Sequence, residues 1–497
     1  MFASPARAGT TAGHNFYCQT PQARGYSSFL GYFSPANGYW THEEEGGTLR
    51  DLWRSGPLAG DEGPAVELLN DPHCTADTQV AASAGGRCQY LDELLEAQAH
   101  QLLLAHDYSN ASSAPLFLFW SPHATHSPVE PPVCRGTRLL NLRTRRVAQP
   151  GLPHTHALAS PRPVQAAWAA ELESWPDEQT CSAKGSYQRR RQALIADLDA
   201  RVGRVVATLQ DRGAPVWERT LLIFASDNGG DFHANNWPLK GGKRTNWEGG
   251  VRVAAFVAGG FLPASQRATT NHGLSAGWDW YATLAGLAGV DTHDAKAAAQ
   301  GLPPVSSHDL WPMLSGRSRG SPRSELLVGA NEEWTTDKID QAPHKDTRGA
   351  ALVSGVIVPP YKLLLGEARH AFRMTHGETV WGQPATCPVD HTWPMNNSKR
   401  FGRPMPPLVC GVTAETGCLF DIWQAPTETK NLAASKPALF YRMLARVREA
   451  QQSVYSPKRS GADAPPLAVT LPDGRPVTFL GPSIHLSQLV ADRRRAD

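Results

Sequence analysis

Apolar positions along this chain fall into two kinds of run, and each kind predicts a different element. Leu91, Leu94, Leu95, Leu102 and Leu103 recur at helical spacing within YLDELLEAQAHQLLLAH and predict a helix over 90–106. Leu194, Ile195, Leu198, Val202, Val205, Val206 and Leu209 mark a second amphipathic helix, the clearest of the sequence. The other runs are short and do not alternate. PLFLFWSPH (115–123), stopped by Pro122, reads as a buried strand. TLLIFASD (220–227) reads as a strand buried on both faces, the pattern of a parallel sheet, and VRVAAFVAGG (251–260) as a further strand. Strand, helix and strand in this order predict an α/β domain with a largely parallel sheet flanked by helices.

Between these runs the texture is polar. Residues 20–40, TPQARGYSSFLGYFSPANGYW, are punctuated by Gly and Pro and predict loops with short extended pieces. Residues 43–88 read as irregular, and 134–185 carry little periodicity, as a surface insertion would. Near residue 340 the pattern changes to GALVSGVIVPPYKLLLGE, then GCLFDIWQAP and a closing helix. We therefore expect a main domain over 1–340 and a small C-terminal α+β domain over 341–497.

Length supports two domains, because 497 residues exceed what a single core ordinarily serves. With 48 basic against 46 acidic residues, the net charge of +2 argues against a nucleic-acid or membrane-surface binder. The run Arg143-Thr144-Arg145-Arg146 and the triplet Arg189-Arg190-Arg191 read as solvated faces. No apolar run of 18 residues occurs, so no transmembrane helix is expected, and the N-terminus lacks the apolar segment of a signal peptide. None of the eight cysteines forms a CxxC pair. The Cys74/Cys88 and Cys410/Cys418 spacings suit disulfides in the secretory pathway, whereas a cytosolic protein would hold the same residues as buried thiols. Asn110-Ala111-Ser112 and Asn396-Asn397-Ser398 fit the glycosylation acceptor pattern, and a secretory location is expected. Oligomeric state is unknown at this level.

Candidate chemistry gathers where the strands should end. Asp227 and Asn228 follow TLLIFAS, and ligands in open α/β sheets collect beyond the carboxyl ends of strands. A carboxylate and an amide carbonyl are hard oxygen donors, suited to calcium or magnesium. Gly229 and Gly230 permit tight turning, and Lys243 in GGK offers a point charge to an anion. An ordinary loop uses the same residue types. A P-loop is excluded: Trp237 stands where its first glycine belongs, and Arg244 where Ser or Thr belongs. His123 and His126 lie in the proline-bounded loop after 115–121, on the expected ligand rim. No GxSxG nucleophile elbow occurs.

FASDNGG, followed by NNWPLKGGK and WEGGVRV, closely resembles the core of the sulfatase family, within the alkaline-phosphatase-like superfamily. TPQARGYSSFLGYF, PLFLFWSPHATHSP, WDWYATLAGLAGV, LPPVSSHDLWPML, YKLLLG and GCLFDIWQAPTETKNLA follow in family order, so the resemblance runs from about Thr20 to Ala433, poorly over 134–185. It implies an alkaline-phosphatase-like fold and hydrolysis of a sulfate monoester, with a sulfated small molecule or glycan as partner. It further implies that Asp227 and Asn228 are calcium ligands (magnesium being the alternative). Lys243 would contact the substrate sulfate, and His126 would be the acid for the leaving alcohol.

The family's nucleophile, a formylglycine made from the cysteine of C-x-P-x-R, has no match here, nor do its N-terminal aspartate pair and its K-W-H or K-W-D lysine. Cys18 in CQTPQAR has the residue types at the wrong spacing. Two ligands fall short of the six to eight oxygens calcium takes, and covalent catalysis is lost without the nucleophile. A sheet without the family's first βα units is expected to expose apolar strand faces. Two explanations follow. Either these residues are the later part of a normal sulfatase whose start, signal peptide and catalytic cysteine lie upstream, or they form a non-catalytic relative that binds or scaffolds. A phosphodiesterase of the same superfamily is disfavoured by NNWPLKGGK.

Overall fold

The structure is a computed structural model. It describes residues 21–131 apart from 22–23, 34–36, 45–48, 57–59, 66–67, 69–73, 75–88 and 110–113; residues 187–329 apart from 231–235, 237 and 244; residues 353–368 and 408–451; and residues 467–479 apart from 471–473 and 475. Cys18, the expected insertion at 134–185 and the boundary near 340 lie outside the described residues. The chain divides into two compact units, 1–213 with 458–497, and 214–457.

In the first unit β1 (Phe29–Gly31), β2 (Trp53–Gly56) and β3 (Gly60–Pro64) form an antiparallel sheet in that order. Helix α1 (Leu91–Ala105) lays Leu91, Leu94 and Leu95 against Leu52 and Trp53, with Phe29, Phe33 and Trp120 at the margin. This is the helical spacing read from the sequence. An antiparallel ribbon of Leu467–Thr470 and Pro476–Phe479 adds Val469 and Val477 to the same core. Helix α2 (Tyr187–Asp211) buries Leu194 against Tyr39, Trp40 and Tyr90, and Tyr39 stacks on Tyr90 with ring centres 5.1 Å apart.

The seam between α1 and α2 is ionic and dry. Glu96 receives Arg201 Nη1 at 2.6 Å and Arg204 Nε at 2.5 Å, while Arg201 Nε donates to Asp197 Oδ2 at 2.7 Å, one turn back along α2. Arg201 has no exposed surface, and its guanidinium also lies 5.5 Å from the Tyr90 ring centre. Burial raises the pKa of the Glu96 carboxyl, but hydrogen bonds from Arg204 and His100 and the charges of both arginines outweigh it and hold the group down to about 2.

In the second unit α3 (Ala214–Glu218) leads into β4 (Leu222–Ala225), which pairs with β5 (Ala255–Ala258). The pairing is antiparallel, with Leu222 opposite Ala258 and Ala225 opposite Ala255, which corrects the parallel arrangement expected of this strand. The excursion between them, 226–254, turns back on itself, and its described helix is the single turn Glu248–Val251. A parallel pair needs a longer crossover, usually a full helix. The double-sided burial expected of β4 is also corrected, since its residues are half-buried or exposed and Phe256 of β5 is 47% exposed. Residues 115–121, expected as a strand, form none, and Phe117 and Phe119 lie open. An apolar run becomes a strand only where a neighbour supplies ladder partners. All pairings among the described strands are antiparallel.

Helix α4 (Asp279–Leu287) is fixed at its start by Arg323, whose guanidinium grips both oxygens of Asp279. The remaining sheet has the order β10 (Cys418–Asp421), β8 (Tyr361–Ala368), β7 (Val353–Val358), β6 (Leu326–Val328), with β9 (Leu408–Cys410) paired to the far end of β8. Helix α5 (Pro437–Gln451) covers it with Phe440, Met443, Leu444 and Val447, a stripe at i, i+3, i+4, i+7 packed on Val356, Leu363, Leu365 and Leu419. The Cys410–Cys418 disulfide joins β9 to β10, as the spacing suggested. Closing so short a loop stabilises by about 2–3 kcal/mol in the chain-entropy account.

Two outcomes test this packing. Because Glu96 ionises more easily in the folded chain than its ordinary 4.5, its stabilisation is complete above that value and is lost as pH falls towards about 2. Chemical unfolding should show Glu96→Gln less stable by about 3 kcal/mol at pH 7 and nearly equal to the parent at pH 2.5; equal spacing at both pH values would refute it. Phe440→Ala should cost the second unit about 3–5 kcal/mol, read as a lowered denaturation midpoint with β6–β10 amides exchanging faster.

Candidate functional site

The sequence places its candidates on two loops, and the structure puts these in different units. His126 belongs to the first, and Asp227, Asn228 and Lys243 to the second. Each is built from its own surroundings.

In the second unit the chain leaves β4 through Ser226, Asp227 and Asn228 and runs back along 249–254. Ser226 N–H donates to Ala254 C=O at 3.0 Å, and Gly229 N–H to Gly250 C=O at 3.0 Å. Gly229 must be glycine, because a Cβ there would fall on the Gly249 carbonyl oxygen. Gly241, at φ +85, has its α-carbon turned against Trp247 and Thr245 in the same way. Asn236 stitches the two arms together: its Oδ1 accepts Gly230 N–H at 2.9 Å, and its Nδ2 donates to Gly230 C=O at 3.0 Å and Gly241 C=O at 3.1 Å. Lys243 N–H then donates to Gly230 C=O at 3.1 Å. Asp227, Asn228 and the Lys243 turn are thus parts of one hydrogen-bonded loop assembly, with Asp227 exposed and Asn228 and Lys243 half-buried.

A cleft of about 500 Å³ opens beside it, lined by Ser226, Asn228, Gly230, Asn236, Leu239 and Arg252 among others. Arg252 is the functional candidate that sequence reading passed over. It stands in WEGGVRV, three residues before β5, and lines the same cleft as Asn228. Its Nη1 lies 4.0 Å from Glu248 Oε2, and half of its side chain is exposed.

Beneath the loop lies a buried charge cluster. Lys362 Nζ sits 3.0 Å from Glu248 Oε1 and 3.0 Å from Glu428 Oε1, all three without significant exposure. Glu428 Oε2 accepts Glu248 N–H at 2.7 Å. Lys240 Nζ stands 3.7 Å from the Trp247 ring centre and donates to Glu428 C=O at 3.3 Å. Burial lowers the Lys240 ammonium to about 8, against the pull of Glu428. Burial likewise raises Glu428, with Lys362 opposing.

As a calcium site the donors fit in kind and not in number. Asp227 and Asn228 are hard oxygen donors at the rim, but among the described residues no three His, Cys, Asp or Glu side chains come together to hold a metal.

In the first unit His126 sits on a turn between residues 123 and 128. Its Nδ1 donates to Ser127 C=O at 2.9 Å, which fixes the tautomer and makes Nε2 the nitrogen that gains and loses a proton. His123, the other rim histidine, is buried, with Nδ1 2.6 Å from the Tyr32 hydroxyl and Nε2 3.3 Å from Ser127 C=O. Both of its ring nitrogens are engaged in holding the turn.

Comparison with known proteins places the chain in a family. The family model described as Sulfatase matches residues 7–290. Arylsulfatase J of Mus musculus is 24% identical over 452 residues, covering 88% of this chain and 59% of that protein. N-acetylgalactosamine-6-sulfatase of Sus scrofa is 30% identical over 176 residues, 33% of this chain and 31% of the relative. The solved structure of Ps i-CgsB superposes with a TM-score of 0.49 at 16% identity, over 89% of this chain and 70% of that one. The chain thus spans under two thirds of the length of the curated relatives named. With its family match covering more than half of the sequence, the chain belongs to the sulfatase family.

Proposed function

We propose that this chain recognises a sulfate monoester in the manner of a sulfuric ester hydrolase, with the cleft beside Asn228 as the anion site. The observation that carries the reading is the assembly of Asp227, Asn228 and the Lys243 turn into one hydrogen-bonded loop at the end of β4. Arg252 supplies a planar, permanently charged donor on the cleft wall, and the Lys243 turn, bonded to Gly230 of that wall, would bring a further point charge to the anion. By the family resemblance His126 would be the acid for a departing alcohol, through Nε2. Calcium at Asp227 and Asn228 would supply further charge stabilisation when bound. The alkaline-phosphatase-like sheet of the family belongs to the same reading.

The attacking group of the family's reaction, the formylglycine cysteine of C-x-P-x-R, has no counterpart within these 497 residues. Charge stabilisers without a nucleophile support binding and leave hydrolysis without its first bond-forming step. A second reading, a sulfatase-like binding or scaffold protein, is favoured by that same observation. The names of the relatives, an arylsulfatase and an N-acetylgalactosamine-6-sulfatase, keep aryl sulfates and sulfated glycans both in view. The Cys410–Cys418 disulfide supports a secretory location. Among the described residues no helix is long and apolar enough to cross a membrane.

Calorimetric titration with 4-nitrocatechol sulfate tests the anion site. Lys243→Ala should weaken binding by about tenfold or more, as loss of a charged hydrogen bond does, while His126→Ala leaves it within about twofold. Binding indifferent to Lys243→Ala would sink the reading. Hydrolysis of the same ester by this chain should be undetectable, and turnover abolished by Lys243→Ala would show that a nucleophile has been overlooked.

A further inference from the structure

Asp92 is the second residue of α1, and its carboxylate does not serve its own helix. It reaches the 123–128 turn, where Oδ1 accepts His123 N–H at 2.7 Å and Oδ2 accepts Ala124 N–H at 3.0 Å. The carboxylate has no exposed surface. Burying a charge costs several kcal/mol unless it is paired and hydrogen-bonded, and an exposed acidic residue would complement the start of α1 without that cost. The two amides and the Arg201 charge are what the buried position serves.

The turn is held at successive residues. His126 N–H donates to His123 C=O at 2.9 Å, Arg191 Nη1 donates to Thr125 C=O at 3.3 Å, and the Tyr39 hydroxyl donates to His126 C=O at 3.2 Å. The Tyr90 hydroxyl anchors the exit through Glu130 C=O at 2.9 Å. Asp92 alone of these groups binds two backbone amides at once, and it does so at the entry, three residues before His126.

We propose that Asp92 is the positioning residue for His126: it fixes the backbone of the turn so that the imidazole keeps the Nδ1–H tautomer and presents Nε2 for proton transfer. This rests on the reading of His126 as proton donor. The groups facing Asp92 are Arg201 and Asp197 of α2, Tyr39, Tyr90 and the His123 turn itself. Burial raises Asp92 to about 6, with Arg201 opposing. Below that pH one oxygen carries a proton and no longer accepts an amide, so the grip needs the ionised form.

The test is nuclear magnetic resonance on the full chain labelled with 15N, including the histidine rings. In the parent, the amides of His123 and Ala124 should exchange slowly and shift with an inflection near pH 6, and His126 should show the Nδ1–H tautomer. In Asp92→Asn, protection of both amides should fall by about tenfold or more and His126 should become a mixture of tautomers, while α5 amides stay protected. Asp92→Glu, which keeps the charge, should recover part of the effect. A folded Asp92→Asn with the His126 tautomer unchanged overturns the proposal. Should that variant not fold, the parent alone decides, because amide shifts flat between pH 5 and 7 overturn it equally. None of these readouts uses an ester, so failure of the sulfate reading would appear separately, as loss of binding with the tautomer intact.

Discussion

A lysine ammonium with no exposed surface is the constraint on which the second unit turns. Lys362 lies on the central strand of the β6–β10 sheet, and it is tolerable there only because Glu248 and Glu428 both close on it. Glu248 opens the helical turn that carries the glycine-rich loop back to β5, and Glu428 sits in the segment after β10 at φ +48. Removing the ammonium would leave two buried carboxylates facing each other without their shared cation, which costs far more than the cluster contributes when intact. The glycine-rich loop is therefore anchored by electrostatics to a sheet far away in sequence, and Lys240 over Trp247 extends that anchorage to the loop's other arm.

The first unit solves a similar problem with a guanidinium in place of the ammonium. Arg201 is the buried cation of the α1–α2 seam, and three acids, Glu96, Asp197 and Asp92, gather around it. Glu96 closes the helix pair, Asp197 braces the guanidinium from its own helix, and Asp92 reaches to the His126 turn. A single guanidinium thus couples helix packing to the placement of an imidazole. In both units a buried cation ties a loop to an element carrying stability.

Much of this was legible in the sequence where the determinant is local. Leucine spacing located α1 and α2 to within a few residues, and the abrupt change from LLIFA to SDNGG located the end of β4. What pairs with β4 was not legible, because an unalternating apolar run does not say whether its neighbour is parallel, and the short helix Glu248–Val251 gave no periodic signal. Residues 115–121 show the same limit from the other side, since propensity alone makes no ladder. The charge clusters were invisible for a simpler reason. Glu248 is 114 residues from Lys362 and 180 from Glu428, and Glu96 is 105 from Arg201, distances at which one sequence carries no pairing information. Asn236 was read only as part of NNWPLKGGK; that its amide joins both arms of the loop is a matter of geometry.

The crowding of glycines in the 229–250 loop bears on how such a protein diversifies. Where Gly229, Gly242, Gly249 and Gly250 press backbone on backbone, no side chain can be introduced without moving the frame. Mutational drift is therefore shut out of the loop's interior and channelled to positions that face outward, Pro238, Leu239 and Arg252 on the cleft wall. Those three can be exchanged, and the cleft wall reshaped, while the glycine frame stays the same. Invariance and adaptability are here divided between neighbouring residues of one loop, by the presence or absence of a single carbon atom.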